Sequence, residues 1–379
     1  MKKHVMLMID PPIPARFEGI GKFAREHGWR LTLANRLVRT PRGWSGDGAL
    51  VTLRNDPATV RFTEDLMRRG IPAVDLTFHR PDIAIPRAIP DYEGAGRLAA
   101  RHFMANGIRR AAWFSTEWSN VQKLFFKGLS GGMAGAGRPQ PAVERFVLSE
   151  LVPKSRLDDP DRFASALSPR LLALRKPAGI LAYNDEEASR VAALCIDIGI
   201  RIPEEIAVMG IGNDVFLCEN QAVPISSVDD ELERSGYDAA ALLQRLMDGE
   251  AAQRGPILTG CRTVVRRRST DTFATENPAV GKALAIFAAN LANPPSMVTI
   301  ARRLGVSRAT LDRLFVRNLG IPAHGALLRQ RIEKSKEMLL NTDMDASEIS
   351  AVCGFCNPAY FSAAFKRSEG VTPGKWRKG

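Results

Sequence analysis

Residues Gly128–Gly132 read GLSGG, the G-x-S-x-G spacing that raises a serine hydroxyl on a sharp strand-to-helix turn for acyl transfer. Such a turn needs an apolar strand before it, whereas the preceding NVQKLFFK is amphipathic and helix-like. The chain has five histidines, none in a recognisable triad context, so hydrolase chemistry is not expected. Cys353 and Cys356 form a CxxC pair, a spacing used by zinc-binding and redox thiols. It has no second pair and no histidine beside it, and Cys353 occupies an apolar helix position, so a packing role is expected. VMGIGNDVFLCE, Val208–Glu219, is an apolar strand running into a glycine-containing turn, where parallel sheets meet small molecules. Neither its GIG nor the chain's GAG has the G-x-G-x-x-G spacing of a dinucleotide site. No HExxH or comparable metal cluster occurs. Neither an enzyme nor a cofactor- or metal-dependent protein is expected, and no residue is assigned a catalytic role.

The elements that would carry these residues divide the 379-residue chain in two. From residue 1 to 265, short apolar strands such as HVMLMID, GALVTL and IAVMGIG alternate with amphipathic helices such as YEGAGRLAARHFMANG and EEASRVAALCIDIG. This alternation predicts parallel βαβ units with ligands bound beyond the strand C-termini. TVVRRRSTDTFATENPAVG, 263–281, turns polar and then opens a helix at a proline, placing a linker at 266–277. Arg266–Arg268 read as a solvated strand end. Residues 278–379 read as helices without strands.

Charge follows the same division. The net charge is +12, and residues 277–379 carry 15 Lys/Arg against 7 Asp/Glu, so about a quarter of the chain holds two thirds of the excess. A basic domain on a near-neutral body suggests a polyanion such as nucleic acid. No apolar run reaches the length of a membrane span, MKKHVMLMIDPP lacks a signal-peptide cleavage site, and five scattered cysteines form no disulfide framework. A cytoplasmic protein is expected.

In MVTIARRLGVSRATLDRLFVRNLG, Ala301 is small where two helices would cross, Gly305 supplies a turn, and Ser307 can cap a helix whose apolar face is Leu311, Leu314 and Phe315. That spacing makes a helix-turn-helix. A second unit follows, with Ile349 and Val352 on an apolar face, Gly354 in the turn, and Asn357-Pro358 opening a helix that buries Phe361 and Phe365. AHGALLRQRIEKSKEMLLNTD between them predicts a long helix able to fix their spacing.

IARRLGVSRATLDRLF, RIEKSKEMLLNT, EISAVCGF, YFSAAFKR and GVTPGKWR closely resemble the AraC/XylS family of DNA-binding domains. The resemblance implies two recognition helices in successive major grooves, with Arg308, Ala309, Asp312 and Arg313 facing bases from the first and Pro358, Ala359, Ser362 and Ala363 from the second. Arg313 would take a guanine and Asp312 a cytosine amino group. The family often carries a basic or amide side chain near Ala363, so the second helix would mainly contact phosphate.

Upstream, DYEGAGRLAARHFMANGIRRAAWFS and GILAYNDEEASR…GYDAAALLQRLMDG resemble the LacI/GalR-type, periplasmic-binding-protein-like effector domain. Fused to an AraC-type domain, the whole resembles XylR-type transcriptional regulators. That implies a two-lobed α/β sensor over 1–265 and an all-α double helix-turn-helix domain over 278–379. It also implies a sugar in the sensor cleft, held by residues among Asp91, Trp118, Asn184, Asp185, Asn213 and Asp214. Gly212 and Phe125 stand where this family carries an aspartate and an arginine, which speaks against xylose itself. The function implied is activation of carbohydrate catabolism genes by a homodimer, with DNA, a small effector and RNA polymerase as partners. The alternative is a sugar-binding or sugar-modifying protein whose basic domain is only a tether.

Overall fold

A computed structural model of the chain describes residues 2–34, 44–134, 143–271 and 277–378. Its contacts divide into two units: residues 1–96, 117–128 and 229–261 form the first, and 97–116, 129–228 and 262–379 the second.

The chain begins with β1 (His4–Met8), α1 (Pro14–Glu26), β2 (Arg30–Ala34), β3 (Gly48–Val51), α2 (Pro57–Arg68), β4 (Ala73–Asp75) and β5 (Ala88–Pro90). The first four strands make a parallel sheet in the order β2-β1-β3-β4, with Val5 opposite both Leu31 and Gly48. β1 and β3 are almost entirely buried, as expected of a parallel sheet covered on both faces. Asp56 caps α2 by accepting from Thr59 N–H at 2.9 Å, and proline at the first helical position suits a site that needs no N–H.

The middle of the chain supplies α3 (Tyr92–Ala105), β6 (Ala111–Ser115), α4 (Asn120–Ala134), β7 (Glu144–Val147), α5 (Pro160–Ala173), β8 (Ala178–Ala182), α6 (Asp185–Asp197), β9 (Ile206–Ile211), α7 (Val215–Glu219) and β10 (Ser226–Asp229). After α8 (Leu232–Met247) come β11 (Ile257–Thr259), paired in parallel with β5, and β12 (Thr263–Val265). The second unit's sheet runs β12-β10-β9-β8-β6-β7. Its core joins Phe114, Ile180, Val208, Val191 and Leu171. In the first unit α8 packs on α1 so closely that a Cβ on Gly19 would lie 1.8 Å from the Glu233 carbonyl oxygen.

GLSGG falls inside α4, where a Cβ on Gly128 would meet the Glu93 carbonyl oxygen at 2.1 Å. Gly128 and Gly132 serve close packing, a Cβ on Gly131 would meet nothing within 4 Å, and no strand-turn nucleophile forms. Residues 266–271, expected within the linker, are instead tied to the second sheet. Ser269 Oγ donates to Val208 O at 2.6 Å and accepts from Ser226 N–H at 2.8 Å, and Ser269 and Thr270 are buried. Of the remaining linker expectation, residues 272–276 lie outside the described residues.

The C-terminal region is all helix: α9 (Pro278–Ala289), α10 (Met297–Arg303), α11 (Arg308–Leu319), α12 (Ala323–Asn341), α13 (Ala346–Val352), α14 (Pro358–Glu369) and α15 (Pro373–Lys378). Two small cores hold it together. One joins Leu284, Phe287, Ala301, Leu311 and Phe315, and the other Ile332, Ile349, Cys353, Phe361 and Phe365. No helix among the described residues is long and apolar enough to cross a membrane.

Candidate nucleic-acid interface and effector site

α10 and α11 form the first helix-turn-helix. Gly305 turns the chain at φ +69°, and the Ser307 hydroxyl accepts from Thr310 N–H at 3.1 Å to cap α11. α13 and α14 repeat the design with Gly354 at φ +77° and Asn357 accepting from Tyr360 N–H at 2.7 Å, ahead of Pro358. Asp345 and Glu348 add a capping box at the start of α13. Val352, expected on the buried face of α13, is instead 49 % exposed, and Phe355 takes the buried place beyond the turn. Cys353 is fully buried, with its thiol donating to Met338 Sδ at 3.7 Å, while Cys356 is exposed.

With those inner faces committed, Arg308, Ala309 and Arg313 on α11 are exposed, as are Pro358, Ala359 and Ala363 on α14; Ser362 is half-buried. Asp312 also has a partner within the protein. Its Oδ1 accepts from Ala323 N–H at 3.2 Å, at the start of a helix whose own N-cap, Pro322, offers no side-chain acceptor. One carboxylate oxygen is thus held against the next helix by an orphan N–H. At the other end of α11 the Arg109 guanidinium, from the second sheet's unit, donates to the Asn318 carbonyl.

In the second unit, four expected effector residues gather beyond β8 and β9. Asn184 Oδ1 caps α6 by accepting from Glu187 N–H at 2.8 Å. Asp185, the next residue, is buried and its Oδ2 accepts from Asp214 N–H at 2.7 Å. Among the described residues its Oδ1 has no hydrogen-bond partner. Burial raises this carboxyl to about 6, against the opposing pull of the Ser227 hydroxyl, the Asp214 N–H, the Cys218 thiol and the Arg267 charge. Asp214 is exposed, and its own carboxylate caps α7 by accepting from Leu217 N–H at 3.0 Å. Asn213 adopts φ +52° and donates its N–H to Ser227 Oγ at 3.0 Å.

Sequence reasoning missed the residue that holds this loop. The Arg267 side chain is only 7 % exposed. Its guanidinium donates to Asn213 Oδ1 at 3.0 Å and Ile225 O at 3.1 Å, and pairs with Glu219 at 2.6 Å. Arg266 pairs with Asp271 at 3.1 Å. Arg267 looks solvated in sequence because the acceptors it meets lie 42 and 54 residues away.

Asp91 and Trp118 belong to the first unit. Asp91 Oδ1 accepts from Gly94 N–H at 2.8 Å at the start of α3, and Trp118 meets the Phe126 ring edge-on at 5.6 Å. Phe125, where an arginine is expected, is buried against Tyr92 with ring centroids 5.0 Å apart. No group of three or more metal-ligating side chains occurs among the described residues.

Residues 100–270 match the family model of a periplasmic binding protein-like domain, and residues 300–379 match that of a helix-turn-helix domain. A structure of a xylose-binding transcription activator aligns over 100% of this chain and 98% of its own, with TM-score 0.60 and 23% identity, a likeness of fold. The xylose operon regulatory protein of Haemophilus influenzae is 30% identical over 367 residues, covering 95% of this chain and 93% of that protein. The Escherichia coli protein of the same description is 26% identical over 377 residues, 95% of this chain and 92% of that one. A two-lobed periplasmic-binding-protein-like fold followed by paired helix-turn-helix units defines a DNA-binding transcriptional regulator, and these relatives are regulators, not enzymes. Within that class, the chain belongs to the family of xylose operon regulatory proteins.

Proposed function

We propose that the protein binds paired operator half-sites on double-stranded DNA through α11 and α14, and activates carbohydrate catabolism genes when its sensor takes up a small molecule. The observation that carries this reading is the pair of equally capped helices whose outward positions, Arg308, Ala309 and Arg313 on one and Pro358, Ala359, Ser362 and Ala363 on the other, are left over by the two cores. Arginine at the front of α11 suits bidentate contact with guanine. The small side chains on α14 suit close approach to the phosphate backbone.

The sensor spans roughly 1–265 with 266–271 packed on it, and the DNA-binding domain 278–379. A homodimer in the cytoplasm, engaging RNA polymerase from adjacent half-sites, fits the family membership. The names of the relatives point to xylose as effector. Within the sensor, Asp91, Asn184 and Asp214 have cap duties, so Asp185 and Trp118 are the stronger candidates for effector contact. A gel shift of the full chain on its own upstream DNA, against random duplex, tests the reading. Preference for the upstream DNA that weakens steeply with salt supports it, and equal binding to random duplex overturns it.

A further inference from the structure

Three positively charged or titratable side chains collect at the C-terminal edge of the first sheet. Arg16 lies in the first turn of α1, directly after β1; Arg54 follows β3; His79 follows β4. These three strands are neighbours, in the order β1-β3-β4, so the topology brings the side chains to one edge. Arg16 is only 5 % exposed, and its Nε is buried without a hydrogen-bond partner. Neither Arg16 nor Arg54 makes a hydrogen bond or ion pair among the described residues. Arg16 thus keeps one buried N–H without an acceptor, a donor that is costly to leave unpaired and that an anion would complete.

The surroundings favour the same charge. α1 begins at Ile13 with no side-chain cap and no acidic residue in its first turn, leaving its positive end open to an anion. His79 is held by Ser119 Oγ at 2.8 Å from Nδ1 and by Asn120, whose amide donates to the His79 carbonyl at 3.0 Å. Its Nε2 has no partner among the described residues. Burial, then the charges of Arg54 and Arg16, push the imidazole down to about 4. It is therefore neutral at physiological pH and no carboxylate is among the charges acting on it.

We propose that this edge is an anion subsite, and that the effector is a small polyol carrying a carboxylate or a phosphate. A neutral sugar would give hydroxyls to the two guanidiniums and leave their charge uncompensated, whereas an acid group forms charge-assisted, bidentate bonds with both. This rests on the proposed role of the domain as an effector sensor and specifies what that sensor selects.

Calorimetric titration of the full chain with D-xylose, D-xylonate and D-xylose 5-phosphate tests it, the last two separating a carboxylate from a phosphate. At least one acidic probe is expected to bind about tenfold or more tightly than xylose, and Arg54→Gln to abolish that preference. Arg54 is half-exposed with no hydrogen bond to lose, and thermal unfolding checks that the variant is folded. In the unaltered protein, NMR titration of the His79 ring should move its pKa upward when the acidic probe is bound and not when xylose is. Xylose binding as tightly as both acids, no binding of either acid, or an acid preference that survives Arg54→Gln would overturn the proposal. A parallel gel shift separates the two readings: operator recognition with no acid preference sinks only the subsite, while loss of operator recognition sinks the regulator itself.

Discussion

Arg267 reaches back 54 residues to donate to Asn213 Oδ1 at 3.0 Å, and so fixes the left-handed turn at the start of the loop after β9. The same guanidinium holds Ile225 O and Glu219. The loop between β9 and β10 is therefore closed by a side chain from beyond β12, and its shape depends on one buried cation.

Replacing that cation should be costly. Arg267→Ala is expected to lower stability by about 2–3 kcal/mol, since it orphans buried acceptors that bonded to a charged donor. Glu219→Gln should cost under about 1 kcal/mol, because Glu219 is half in water. Urea unfolding of the two variants checks the order; equal effects would mean that the ion pair and not the buried bonds holds the loop.

Stability should depend on pH through two carboxyls in the first turn of α6. Burial raises Asp185 from 3.8 to about 6 and Glu187 from 4.5 to about 7. The unfolded chain releases these protons first, so as pH rises from about 4 to about 7 the folded state is progressively disfavoured. Their contribution is fully present below the unfolded values and lost above the folded ones. Glu187→Gln should thus gain stability relative to the unaltered protein between pH 5 and pH 8. Denaturant midpoints at those two pH values measure it, and a difference that shrinks with rising pH contradicts it.

On the DNA-binding face, Arg313→Ala should cost about 1–3 kcal/mol of operator affinity and relax preference at one base position. Asp312→Ala should leave base preference unchanged and lower stability by about 1 kcal/mol, the usual worth of a cap, because its carboxylate serves Ala323 N–H. Binding selections on randomised operators, run with thermal unfolding, separate the two roles.

The two turn glycines should not be equivalent. Both have positive φ, but a Cβ on Gly305 meets nothing within 4 Å, whereas one on Gly354 would lie 2.3 Å from the Ala292 carbonyl oxygen. Gly305→Ala is expected to cost about 1 kcal/mol from backbone conformation alone. Gly354→Ala should cost clearly more, since backbone must move. Comparison of their melting temperatures decides this.

Much of this arrangement is legible in the sequence where the signal is local. The caps at Ser307 and Asn357, the glycine turns and the phenylalanine faces all lie within one helix of their partners. The β5–β11 pair escaped because three-residue strands carry no periodicity and their partners lie far apart. Asp312 stands on the outward side by spacing, and only the position of α12 shows which N–H it meets. Arg16, Arg54 and His79 share no motif; parallel-sheet topology is what assembles them. Each does follow an apolar strand, a signal that could have been searched.

Gly212, finally, occupies φ +116° with its N–H donating to Val228 O at 2.9 Å, and a Cβ there would sit 3.5 Å from Asp185 Oδ2. Aspartate is the residue that the family resemblance implies at this position, so Gly212→Asp is the informative change. In this backbone the change would strain the chain and set a second carboxylate beside a buried one that already holds its proton up to about 6. Accommodating that aspartate would therefore require the turn at Asn213 and the charge at Asp185 to change as well.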